Sequence, residues 1–80
     1  MNTYHTHYFG LLGERRGLAD ETITSAAATA RELYESLAAE HSFGMPCGDL
    51  RAAVNDEMVL WDHPLTNGDQ IAFLPPMSGG

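Results

Sequence analysis

The chain predicts an α+β domain in which one main helix packs across a mixed β-sheet. Three observations carry this expectation. Only one segment has a full amphipathic helix pattern with its own start signal, at residues 29–41. The remaining apolar and β-branched residues fall into runs of strand length, two before that helix and three after it. Turn residues separate the runs, and 80 residues hold one small core.

Residues 3–9, Thr-Tyr-His-Thr-His-Tyr-Phe, are aromatic and β-branched and read as a first strand. Side chains alternate across a strand, so Tyr4, Thr6 and Tyr8 share one face while His5, His7 and Phe9 share the other. Gly10 to Gly17 is a connection with one helical turn at Leu11-Leu12, and Glu21 to Thr24 is a second strand that closes a hairpin. Thr29-Ala30-Arg31-Glu32 matches a capping box, in which Glu32 reaches back to the cap amide. Ala30, Leu33, Tyr34, Leu37, Ala38 and His41 then follow the helical spacing i, i+3, i+4, i+7. Ser42 to Gly48 ends the helix. Arg51 to Asn55 is a third strand, Asn55-Asp56-Glu57 a tight reversal and Met58 to Trp61 a fourth strand. Thr66-Asn67-Gly68-Asp69 is a turn, and Ile71 to Leu74 is the last strand, stopped by Pro75.

One helix covers one face of a sheet. If Val59, Trp61, Ile71 and Phe73 face it, then Met58, Leu60, Ala72 and Leu74 face away, as Phe9 does on the first strand. Phe9, Met58, Leu60 and Leu74 are thus expected as exposed apolar residues, the mark of a partner surface.

Eleven acidic residues stand against four arginines and no lysine, a net charge of −7. That balance disfavours nucleic acid and suits solubility or basic protein partners. No apolar run reaches membrane-spanning length, and Met1 to His5 is not expected to be a signal peptide. The lone Cys47 allows no internal disulfide, fits a reducing cytoplasm and has no catalytic motif around it. His5, His7, His41 and His63 lack the second close-spaced ligand set of a usual zinc motif, so no metal site is expected. Ser78 has no orienting base, Glu14, Asp20, Glu21 and Asp56 read as solvated surface, and the spacing of Gly10, Gly13 and Gly17 fits no phosphate loop. A self-contained active site is therefore not expected.

The C-terminal stretch offers a different kind of chemistry. Pro75-Pro76 favour an extended conformation rising ~3 Å per residue, so residues 75–80 span roughly 18 Å. Met77 is an adaptable apolar anchor, and Gly79-Gly80 present a carboxylate with no side chain beside it. Such a tail fits a narrow channel. An ATP-using partner can adenylate the Gly80 carboxylate, and a sulfur nucleophile can then displace AMP to leave a thiocarboxylate.

Ala53-Val54-Asn55, Asp62-His63-Pro64-Leu65-Thr66-Asn67-Gly68-Asp69 and Ala72-Phe73-Leu74-Pro75-Pro76-Met77-Ser78-Gly79-Gly80 closely resemble the small subunits of molybdopterin synthase. These are ubiquitin-like β-grasp sulfur carriers. The resemblance covers essentially the whole chain and is specific from about Ala52 onward. It implies a β-grasp domain over residues 1–74 and a flexible tail over residues 75–80. Gly80 would be the adenylated and thiocarboxylated terminus, with Gly79 as part of the tail that enters the partner. The implied partners are a molybdopterin synthase large subunit, a ubiquitin-activating-like adenylyltransferase that uses ATP, and a sulfur donor enzyme. The chain itself would bind no cofactor and act as the non-catalytic sulfur-donor subunit of a heterotetrameric synthase, giving sulfur to a cyclic pterin monophosphate. Phe9, Met58, Leu60, Leu74, Pro75, Pro76 and Met77 would contact the large subunit. His5 and His7 depart from the aliphatic or basic residues expected there, and the Phe43–Gly48 loop has no counterpart in the pattern. The alternatives are a carrier for thiamine thiazole or another sulfurated product, a ubiquitin-like modifier joined to protein lysines, and an interaction module with an inert tail.

Overall fold

The structure, a computed structural model, describes residues 1–75. Pro76, Met77, Ser78, Gly79 and Gly80, to which the sequence assigns the tail's chemistry, lie outside the described residues.

Eight segments follow in order: β1 (Asn2–Tyr8), α1 (Leu11–Arg16), β2 (Asp20–Ser25), α2 (Ala30–His41), a single 3-10 turn (Cys47–Asp49), β3 (Arg51–Val54), β4 (Glu57–Val59) and β5 (Gln70–Leu74). The strands form one sheet in the order β2-β1-β5-β3-β4. The central pair β1 and β5 is parallel, and the other three pairings are antiparallel. This is the expected mixed sheet of a ubiquitin-like β-grasp fold.

The alternation in β1 decides which face is covered. Tyr4, Thr6 and Tyr8 are buried, and in register with them lie Ile71 and Phe73 of β5. Ala52 and Val54 of β3 continue the same layer. Leu33, Tyr34 and Leu37 of α2 and Leu12 of α1 close over it. The core is aromatic: Tyr34 meets Phe73 edge-on with ring centroids 5.3 Å apart, and Trp61 stacks on Phe73 at 6.1 Å. The two fully buried tyrosine tips find acceptors, Tyr4 in the Ala27 carbonyl and Tyr34 in the Met45 carbonyl, each at 2.6 Å. Burial raises the Tyr34 hydroxyl above its ordinary pKa, so it stays a donor.

Four differences from the sequence expectation have local causes. The fourth strand stops at Val59 instead of Trp61, because the chain turns at Leu60, where the His63 amide donates to the Leu60 carbonyl. The turn brings the Trp61 and His63 carbonyls to the N-terminus of α2, where they accept from the Arg31 and Ala30 amides. Thr29 caps Glu32 as expected, whereas the Glu32 carboxylate reaches the amide of Ala28 rather than that of the cap. The Thr29–Pro64 bridge occupies the cap residue's edge. The β3–β4 reversal needs only Asn55 and Asp56, both at positive φ, which matches the twist of the two strands. Finally, α1 is a six-residue helix and not one turn, ended by Gly17 at φ 81.

The Phe43–Gly48 loop is part of the core. Phe43 is fully buried between Tyr8 and Tyr34, and Arg15 donates to its carbonyl. Cys47 is half-buried against that cluster.

Candidate functional site

Beyond its core-facing side, the sheet has a second face on which His5, His7, Ala53, Ala72 and Met58 lie. Register aligns His7, Ala72, Ala53 and Met58 in one row across four strands. The two central positions are alanines, and bulk rises at either side. The result is a depression of about 150 Å³ lined by His7, Phe9, Ala53, Asp56, Gln70 and Ala72. Met58 is 59% exposed and Phe9 46% exposed, which leaves large apolar side chains at its margins. An apolar protrusion from another protein suits such a surface.

Leu60 is 78% exposed, but it belongs to the turn after β4 and not to a strand. Leu74 is half-buried, less open than strand parity alone implies, and pairs with Arg51. The pairing of Tyr8 with Phe73 puts Phe9 and Leu74 at the same end of the two central strands. There the chain leaves the sheet. Pro75 is exposed and passes over Gly10, where an added Cβ would stand 3.5 Å from the proline ring. Gly10 has φ 58 and ψ −133, a conformation open essentially only to glycine. The exit of the tail, Phe9 and the apolar row therefore share one side of the molecule.

At the opposite end of the sheet, the Leu65–Asp69 segment acts as a structural lock. Asp69 accepts from the Thr66 amide and from Asn55 Nδ2, and its carbonyl accepts from the His5 amide. Asn55 Oδ1 accepts from the Gln70 amide, Asn67 Oδ1 accepts from the Thr3 amide, and the Gly68 amide donates to the Thr3 carbonyl. These bonds tie β1, the β3–β4 turn and the start of β5 together. They fix the register on which the apolar row depends, a role that turn composition alone did not reveal.

A second lock holds edge strand β2. Arg16 binds both Glu21 carboxylate oxygens at 2.8 Å, and the Tyr8 hydroxyl donates to Glu21 Oε2 at 2.7 Å. The bonds from Arg16 hold the Glu21 carboxyl below the usual carboxylate range, with the Tyr8 bond adding to the effect and burial opposing it. Burial is the main cause that keeps the Tyr8 hydroxyl protonated well above its ordinary range. Glu21 is thus a structural anion and not the solvated carboxylate its sequence context suggested.

The hairpin held by this lock also sets Asp20 opposite His7. His5, His7 and Asp20 consequently bring one donor atom each to within 4.8 Å of one another. Sequence spacing left the two histidines without a third ligand, because Asp20 lies across an eleven-residue connection whose register only the folded hairpin fixes. His41 and His63 are not part of that group. Among the described residues, no helix is long and apolar enough to cross a membrane.

The family is decided by comparison with known proteins. The ThiS family model matches residues 6–80. The chain belongs to the ThiS family. The molybdopterin synthase sulfur carrier subunit of Escherichia coli is 36% identical over 76 residues, which is 91% of this chain and 94% of that protein. A solved structure of the putative molybdopterin converting factor subunit 1 of Pyrococcus furiosus superposes with a TM-score of 0.80 at 26% identity. It covers 96% of this chain and 100% of its own. A complex of subunits 1 and 2 of the molybdopterin-converting factor of Helicobacter pylori contains a chain with a TM-score of 0.68 and 28% identity, covering 98% of this chain and 99% of that one. The ThiS-family match runs through Gly79 and Gly80, which gives the residues beyond Pro75 a place in the family pattern.

Proposed function

We propose that this chain is the sulfur-carrier subunit of a molybdopterin synthase, a donor of sulfur and not itself an enzyme. The observation that carries the reading is the near full-length relation to the Escherichia coli molybdopterin synthase sulfur carrier subunit. The apolar sheet face beside the exit of the tail supports it.

The chemistry follows from a carboxylate being a poor acylating group. A ubiquitin-activating-like adenylyltransferase attaches AMP from ATP to the Gly80 carboxylate with loss of pyrophosphate. A sulfur donor enzyme then supplies the nucleophile that displaces AMP, and Gly80 ends as a thiocarboxylate. The charged chain docks on a large synthase subunit through Phe9, Met58, Leu60 and Leu74. Pro75, Pro76 and Met77 line the way into the partner's channel, and Gly79 passes where it is narrowest. The domain over residues 1–74 is the docking body, and residues 75–80 are the arm, long enough at roughly 18 Å to place sulfur inside the partner. Hydrolysis of the spent acyl group returns the carboxylate. Two deliveries to a cyclic pterin monophosphate build the dithiolene.

The test uses the full chain carrying a Gly80 thiocarboxylate, mixed with a large synthase subunit and the cyclic pterin monophosphate. The expected result is sulfur on the pterin and a Gly80 carboxylate on the chain. Equal transfer from a chain lacking Gly79 and Gly80 would contradict the proposal. Amide bonds from Gly80 to protein lysines, with no sulfur on the pterin, would support the modifier reading in its place.

A further inference from the structure

We infer that His5, His7 and Asp20 form a binding site for one divalent transition-metal ion of the zinc class, at the β1–β2 edge of the open sheet face. The donor set is two imidazoles and a carboxylate, which suits ions that bind nitrogen and oxygen ligands and disfavours calcium or magnesium. The two histidines are two residues apart on one strand, so both rings point to the same side, with centroids 4.7 Å apart. Asp20 enters from the paired strand directly opposite His7. His5 Nε2 already stands 3.5 Å from Asp20 Oδ1. Metal–ligand bonds of ~2.0–2.1 Å put tetrahedral donors roughly 3.3 Å apart. Donors within 4.8 Å close to that separation by side-chain rotation alone, since His5 and Asp20 are 40% and 53% exposed and free to turn.

The outer contacts suit the same reading. His5 Nδ1 lies 3.0 Å from Thr22 Oγ1, which can accept the Nδ1 proton and leave Nε2 as the free donor on the Asp20 side. His7 Nε2 lies 3.3 Å from Gln70 Oε1, so that amide can take one ring proton while the other nitrogen turns to the ion. Both strands are held in register by the Tyr8–Glu21–Arg16 lock, so the ligands stand on a rigid base. Three protein ligands leave a position for water or for a donor from a docked protein. His7 also lines the depression beside Phe9 and Ala72, so a bound ion lies at the rim of the apolar face. This inference is independent of the sulfur-carrier reading.

The experiment is a calorimetric titration of the untagged full chain with zinc chloride, paired with imidazole NMR signals. One-to-one saturable uptake is expected, with the His5 and His7 ring signals shifting and those of His41 and His63 unmoved. His5→Ala and His7→Ala should each weaken uptake at least tenfold, while Cys47→Ser and His63→Ala leave it unchanged. The NMR readout needs no variant, so it stands even if a substitution perturbs folding. Absence of saturable uptake, or uptake that persists in the His5→Ala/His7→Ala double variant, overturns the site. Shifts at His41 or His63 in place of His5 and His7 do so as well.

Discussion

Docking through the open sheet face predicts a measurable loss when its two largest apolar side chains are cut back. Fully burying a Met or Phe side chain is worth ~1.5–3 kcal/mol. Met58 is 59% exposed and Phe9 46% exposed, so each has about half of that left to gain, roughly 0.7–1.7 kcal/mol, if a partner covers it. The double variant Met58→Ala/Phe9→Ala should then weaken binding to the large subunit by about 1.5–3 kcal/mol, or roughly ten- to 150-fold in Kd. The other half of each side chain is already covered within the domain, so the double variant should also lose about 1.5–3 kcal/mol of folding stability. Titration calorimetry gives the Kd, and a urea melt reports the stability. Arg31→Ala, on the exposed side of α2 across the domain, is the control and should bind as the unaltered chain does. A double variant whose Kd stays within about threefold, under conditions where the urea melt shows it folded, would refute docking by this face.

The locks and the turn make further predictions. Tyr8→Phe removes a hydrogen bond to a charged acceptor from a buried position and should cost about 1.5 kcal/mol in a urea melt. Because the folded Glu21 carboxyl lies below its unfolded pKa, its stabilising effect is complete above that unfolded value. It is lost as pH falls through the folded one. Thermal melts should therefore weaken in acid below about pH 4, and Glu21→Gln should show a flatter acid limb. A variant limb as steep as the original would remove Glu21 as the cause. Asp56→Gly should raise stability by about 0.5–1 kcal/mol, since Asp56 holds φ 71 where glycine carries no side-chain penalty.

Much of the fold was legible because its signals are local. Thr29 and the spacing of Leu33, Tyr34 and Leu37 define α2 without help from the rest of the chain. Alternation in β1 and β5 assigned Tyr4, Tyr8, Ile71 and Phe73 to the core, and burial agrees at each. What escaped depends on contacts between distant segments. β4 ends early because Trp61 and His63 turn their carbonyls to the start of α2, a demand set some thirty residues earlier in the chain. Phe43 reads as a loop residue but fills the gap between Tyr8 and Tyr34. Asp20 and Glu21 look like equivalent surface acids. Pairing register turns one toward His7 and the other toward Tyr8 and Arg16. A length argument on the β1–β2 connection would have narrowed that register, though not fixed it. On the functional side, the exposed Phe9 and Met58 followed from parity, while the half-burial of Leu74 depends on its neighbours in the sheet.

The proposed function rests on sulfur carried at Gly80. Intact mass spectrometry of the chain, produced together with an adenylyltransferase, a sulfur donor and ATP, tests it most directly. A sulfur carrier should show a fraction heavier by one sulfur-for-oxygen exchange, located to Gly80 by fragmentation and absent when ATP is withheld. A chain found only as amide-linked adducts on other proteins, or unchanged while the adenylyltransferase demonstrably charges a known carrier, would contradict it.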